Sequence, residues 1–178
     1  GYSWVNESLV DTANRGIPAF YTPIGNDTRE TKGFANQESP EFKRKIRWKI
    51  PLLLQVLKHD YNVLYIDSDV ILFKNPISDL QSRNGYDMMA QKDGSIACTG
   101  FMYIVSNNRS IELFSLATEL VMTKALRDQM AVHEAWKQKP IPRLLLPIES
   151  YPSGQDYFNT YQFYWDMRSS IAVIWIIP

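Results

Sequence analysis

The chain has a single cysteine, Cys98, and two histidines, His59 and His133, in 178 residues. One cysteine excludes an internal disulfide framework and a cysteine-rich zinc centre, and two histidines leave little for a zinc enzyme. Net charge is also lacking, since 19 Lys and Arg stand against 19 Asp and Glu. With no polybasic run, a nucleic-acid binder that works by neutralising phosphates is disfavoured, and no acidic tract marks a disordered tail. The longest apolar runs, residues 51–54 and 171–178, fall far short of a bilayer span. Apolar and aromatic residues are plentiful: 45% of the chain is hydrophobic and 13% aromatic, with 10 Tyr and 5 Trp. That content suits one packed domain over residues 1–178 with an amphipathic ligand cleft.

Periodicity outlines the elements. Residues 7–15 read as a short helix, 17–21 as a strand and 25–37 as a polar loop. Ser39-Pro40-Glu41 is a helix start, with a hydroxyl cap, Pro at the first position and an acid near the positive end. Phe42, Ile46, Ile50, Leu53, Leu54 and Leu57 follow at helical spacing, and Pro51 inside that pattern predicts a kink. Strands are expected at residues 61–66, 86–91, 101–105, 144–146 and 171–177, and helices at 110–123 and 128–136. Strands alternate with helices and several are apolar on both faces. This pattern predicts an α/β domain with a mixed, mostly parallel sheet flanked by helices.

The strongest chemical feature is Leu64-Tyr65-Ile66-Asp67-Ser68-Asp69-Val70. A buried strand ends in two carboxylates separated by one small residue, where open α/β sheets bind their ligands. Two such acids repel each other unless a cation lies close by. Oxygen-only donors favour a hard ion, Mn²⁺ or Mg²⁺, with positions left open for phosphate oxygens. A solvated strand-end turn is the bland alternative for the tripeptide taken alone. Three glycosylation sequons, at Asn6, Asn26 and Asn108, fit either coincidence or passage through the secretory pathway.

Residues 63–76 resemble the Asp-x-Asp segment of nucleotide-diphospho-sugar transferases with the GT-A (Rossmann-like) fold. The likeness continues through Cys98-Thr99-Gly100-Phe101-Met102-Tyr103, Asp128-Gln129-Met130-Ala131, residues 144–147 and residues 151–158. It extends to the plant pectin xylosyltransferases and their animal relatives. The resemblance implies a glycosyltransferase that uses a nucleotide-diphosphate sugar, in the first place a UDP-sugar, with a glycan or protein acceptor and retention at the anomeric carbon. It implies Mn²⁺ (or Mg²⁺) held by Asp67 and Asp69. Lys49, Asp67, Ser68, Thr99 and Gly100 would line the nucleotide sugar, and Asp128 and Gln129 would act near the reacting carbon. Each has a plainer reading: Lys49 as a solvent-facing helix lysine, Gly100 as a turn glycine, Asp128 and Gln129 as an ordinary helix start. The resemblance also implies a Golgi or other secretory-pathway lumen and a parent anchored to the membrane upstream of this chain.

Two departures accompany the likeness. The family ends near a His-Asn-Asn-Trp segment whose His helps bind the metal, whereas here Trp175 is preceded by no His. The family's first strand is expected upstream of Gly1, so the chain reads as a piece lacking that strand. Both motivate a catalytically silent binding or scaffold domain as an alternative. A haloacid-dehalogenase-like phosphotransferase is a lesser one, since Ile71 stands where those enzymes carry Thr or Val. The cluster Tyr157, Phe158, Tyr161, Phe163, Tyr164 and Trp165 reads as a packed loop or an acceptor platform, and Tyr65 as a core residue.

Overall fold

A computed structural model describes residues 47–67, 69–161 and the backbone of 173–177, with side chains as far as residue 157 in the last helix. The chain divides into two units, Gly1–Arg44 and Lys45–Pro178, and all described residues belong to the second. The elements expected at residues 7–15, 17–21 and 25–37, and the helix start at Ser39, lie outside the described residues.

Helix α1 spans Lys49–Lys58, and its Ile50, Leu53, Leu54 and Leu57 are buried at i, i+3, i+4 and i+7. Pro51 falls in the first turn of α1 rather than in a helix interior, where its missing N–H removes no hydrogen bond. At that position nothing requires the expected kink. Asp60, at φ 62°, turns the chain into β1, Asn62–Ile66. Helix α2, Ile77–Ser82, begins after Asn75, whose Oδ1 accepts the Ile77 N–H at 3.0 Å. Strands β2, Met88–Asp93, and β3, Ile96–Ile104, form a hairpin through Gly94 (φ 57°) and Ser95. Glycine at the first position of a two-residue loop is a hairpin signal, and it sets the start of β3 five residues before the expected position.

Helix α3, Asn108–Lys124, starts with a capping box: Asn107 accepts the Ser110 N–H, and Ser110 Oγ accepts the Asn107 N–H. Helix α4, Asp128–Gln138, strand β4, Arg143–Leu145, helix α5, Gly154–Tyr161, and strand β5, Val173–Ile177, complete the order. Ser153 and Asp156 cap α5 reciprocally, since the Asp156 N–H donates to Ser153 Oγ at 3.1 Å and the Ser153 N–H to Asp156 Oδ2 at 3.3 Å.

The sheet has the order β4-β2-β3-β1-β5. It is mixed, as expected, but among the described residues it is not mostly parallel. β1 pairs antiparallel with β3 and β5, β2 pairs antiparallel with β3, and β2 with β4 is parallel. The reason lies in the connections: a two-residue turn joins β2 to β3 and forces them antiparallel, while β4 is reached from the hairpin only after α3 and α4. Both sheet faces are buried. Val63, Tyr65, Met102 and Ile104 pack under α1, α3 and α4, and Leu64, Ile66, Phe101 and Tyr103 pack with Leu80 of α2 and Leu146. This double burial explains the near-continuous apolar runs in the sequence.

Candidate active site

Four elements meet beyond the carboxyl end of β1. Lys49 is the first residue of α1, Asp67 follows β1, Thr99 and Gly100 lie in β3, and Asp128 opens α4. An irregularity in β3 brings the middle pair into place. Between the partners Ala90↔Met102 and Lys92↔Ala97, β2 advances two residues and β3 advances five. The extra residues buckle toward Asp67, whose N–H donates to the Gly100 carbonyl at 2.7 Å. Bulges of this kind re-aim side chains beside active sites.

Lys49 binds the group together. Its Nζ lies 2.7 Å from Asp128 Oδ2 and 3.2 Å from Asp67 Oδ1, and donates to the Thr99 carbonyl at 3.2 Å. The ammonium also sits 4.7 Å from the centroid of the Tyr65 ring. The Lys49 side chain is only 11% exposed, so its charge is paired by protein acceptors rather than solvated. Thr99 is buried, and its Oγ1 donates to Asp128 Oδ2 at 2.9 Å. Asp128 at the first turn of α4 is also favoured by the helix dipole.

Asp67 is held from several sides. Tyr65 OH donates to its Oδ1 at 2.6 Å, and Lys49 Nζ makes a longer 3.4 Å contact to its Oδ2. A Cβ at position 100 would stand 2.9 Å from Oδ2, so only glycine leaves that carboxylate its space. Gly100 thus makes room for a neighbouring side chain, a reason the sequence did not disclose. Burial first, then the hydrogen bond to Asp67 and the charges of Asp67, Asp128 and Asp69, push the Tyr65 phenol well above its ordinary pKa. Burial likewise pushes up the Cys98 thiol, whose Sγ accepts the Gly100 N–H at 3.4 Å.

The structure brings together Lys49, Asp67, Thr99, Gly100 and Asp128 from the sequence-derived set. Asp69 is exposed on the turn after β1, within electrostatic reach of Tyr65. Ser68 lies outside the described residues. Gln129 does not join the lysine cluster: its Nε2 donates to Asp93 Oδ2 at 2.7 Å and ties α4 to the β2–β3 hairpin. The residue missed by sequence reasoning is Tyr65, although its i, i+2 spacing from Asp67 was available as a signal. Of the dense aromatic cluster, Tyr157 is described, and its ring stacks at 6.0 Å on the exposed Phe73; the side chains of the others lie outside the described residues.

Lys49 pairs with two carboxylates, Asp67 and Asp128, which leaves an excess of negative charge with oxygen donors. No group of three His, Cys, Asp or Glu able to hold a metal occurs among the described residues. Asp67 and Asp69 are oxygen donors of the kind a hard cation takes. The Asp67 carboxylate is 35% exposed and its Oδ2 keeps lone pairs free beyond the long Lys49 contact.

An α/β domain with an acidic cluster at a strand's carboxyl end belongs to the ligand-binding class of open-sheet folds. Comparison makes this specific: residues 7–172 match the model of the nucleotide-diphospho-sugar transferase family, and the chain belongs to that family. The mixed sheet with its flanking helices is a GT-A-like domain. The chain is similar to a UDP-galactose:fucoside alpha-3-galactosyltransferase of Dictyostelium discoideum, 27% identical over 187 residues covering 86% of this chain and 28% of that protein. It is also similar to an uncharacterized protein of Arabidopsis thaliana, 35% identical over 81 residues, covering 43% of this chain and 24% of that protein. The chain therefore spans roughly a quarter of the length of these relatives. No solved structure gives a significant match.

Proposed function

We propose that this domain transfers a glycosyl group from a nucleoside-diphosphate sugar to a hydroxyl of a glycan or glycoprotein. The observation that carries the reading is the convergence of Lys49, Asp67, Thr99 and Asp128 at the carboxyl end of β1, in a chain of the nucleotide-diphospho-sugar transferase family. The Dictyostelium relative's name points to a UDP-sugar as the donor. In the reaction the bond between the anomeric carbon and the diphosphate breaks, and the leaving group departs with the electron pair. The acceptor oxygen forms the new bond, and its proton passes to the departing diphosphate. Asp67 and Asp69 would hold Mn²⁺ or Mg²⁺, which would supply Lewis-acid neutralisation of the leaving diphosphate.

The chain's own residues do the rest. Lys49 neutralises Asp67 against Asp128 and keeps the two acids at fixed separation. Thr99 orients Asp128 through its hydroxyl. Asp128, at the start of α4, is the carboxylate we assign to the reacting sugar, and Gln129 steadies the hairpin beside it. Retention at the anomeric carbon and residence in a secretory-pathway lumen belong to the same proposal, supported by the family likeness and the sequons.

Incubation with UDP-galactose and a panel of other nucleotide sugars, with and without Mn²⁺, tests the reading. We expect metal-dependent release of UDP from a subset of donors, and none of p-nitrophenol from its phosphate. Cleavage of p-nitrophenyl phosphate alone favours a phosphotransferase. Absence of donor turnover together with absence of UDP binding removes the transferase reading of this chain.

A further inference from the structure

We propose that Tyr65 is a positioning residue of the donor site: its hydroxyl fixes the rotamer of the Asp67 carboxylate and its ring face seats the Lys49 ammonium. The inference rests on the nucleotide-sugar reading above and adds a residue to it.

Tyr65 lies on the helix-covered face of the sheet, in the same apolar cluster as Val63, Met102 and Leu53. It is 6% exposed, so packing alone explains its ring but not its hydroxyl. A buried phenol needs an acceptor, and backbone carbonyls commonly supply one. Here the acceptor is a functional carboxylate, with Tyr65 OH 2.6 Å from Asp67 Oδ1. The opposite oxygen, Oδ2, abuts Gly100, where even a Cβ would stand at 2.9 Å. The carboxylate is thus clamped between a donor on one oxygen and backbone against the other. The same ring carries Lys49 Nζ over its face at 4.7 Å, within the range of a cation–π contact.

Lys49 has two carboxylates to choose from, at 3.2 Å and 2.7 Å. Without the Tyr65 hydroxyl, Asp67 depends on that shared lysine alone among these donors and loses its single orientation. Ordering it then costs free energy at the moment of binding instead of beforehand. Removing a partner that orients a ligating carboxylate typically weakens binding about 10–100-fold.

The test compares the full chain with Tyr65→Phe, which keeps the ring, and Tyr65→Leu, which removes ring and hydroxyl together. UDP is titrated calorimetrically in the presence of Mn²⁺, and thermal unfolding is followed without ligand. We expect Tyr65→Phe to unfold cooperatively near the wild-type temperature while its Kd for UDP rises about 10–100-fold. The Leu variant, if folded, loses at least as much; if it does not fold, the Phe variant alone decides. A merely structural tyrosine lowers the melting temperature and leaves the Kd of the folded protein unchanged. A Kd for Tyr65→Phe within twofold of wild type overturns this inference and leaves the nucleotide-sugar reading standing. Failure of the wild-type chain to bind UDP with Mn²⁺ overturns that reading, and this inference with it.

Discussion

Gly100 shows how little of a residue's purpose is local. A glycine in a strand normally signals a bulge or a close approach by a ligand, but at this position the approaching group is the chain's own Asp67 carboxylate. Gly100→Ala places a Cβ against Oδ2 and forces that carboxylate to turn, so we expect UDP affinity in the presence of Mn²⁺ to fall about 10–100-fold. Because Asp67 is partly exposed and can yield, the melting temperature should change little; calorimetry and a thermal melt read the two effects separately. Asp128 and Gln129 adjoin each other in sequence, yet they face different partners, Lys49 with Thr99 and Asp93 respectively. Asp128→Ala should therefore lower kcat more than it raises the donor's KM, as expected for a group near the reacting centre. Gln129→Ala should have the smaller effect, through a loosened hairpin. Steady-state kinetics with varied donor check both; equal losses in KM alone would move Asp128 to the nucleotide end of the site.

At the scale of elements, the start of α3 is fastened to the start of β2. The buried Asp87 accepts from Arg109 Nε at 2.6 Å and Nη2 at 2.8 Å and from Asn107 Nδ2 at 2.8 Å. Asn107 meanwhile caps α3. The Arg109 guanidinium, with help from Asn107, holds the Asp87 carboxyl below its usual range, against the opposing effect of burial. A carboxyl whose folded pKa is depressed stabilises the fold above the unfolded value, about 3.9 for Asp, and that contribution disappears as pH falls through the folded value. Urea unfolding at pH 7 and pH 3 should therefore find Arg109→Ala clearly less stable than wild type at pH 7. The gap should narrow at pH 3; an equal gap at both pH values would show that Arg109 acts through packing and not through the ion pair. The elements themselves were largely readable. The i, i+3, i+4 spacing of α1 and α3 and the apolar run of β1 are properties of contiguous residues. The length of β3 and the existence of α2 were missed although Gly94-Ser95 and Asn75-Pro76 carry turn and helix-start chemistry.

For the whole molecule, the acids of the site outnumber its lysine, so a diphosphate alone meets repulsion and a diphosphate with a divalent cation does not. UDP at about 100 times its Kd stabilises a folded protein by roughly 2.7 kcal/mol. For a domain of this size that corresponds to about 5–10 °C in melting temperature. We expect such a shift with UDP and Mn²⁺ together, a much smaller one with either alone, and the same small response from Asp69→Asn with both. A full shift with UDP in the absence of metal would contradict the proposed part played by Asp67 and Asp69. The sequence by itself determined the α/β class and the position of the acidic strand end, because hydrophobic period and strand-end chemistry are written in neighbouring residues; Lys49, Thr99, Gly100 and Asp128 were named only through the family resemblance. Only the tertiary structure decided strand direction, since apolar runs look alike in parallel and antiparallel sheets that are buried on both faces. It alone decided the company each charge keeps as well. Lys49 is 18 residues from Asp67 and 50 from Thr99 along the chain, and a buried ammonium takes whichever acceptors folding brings within reach.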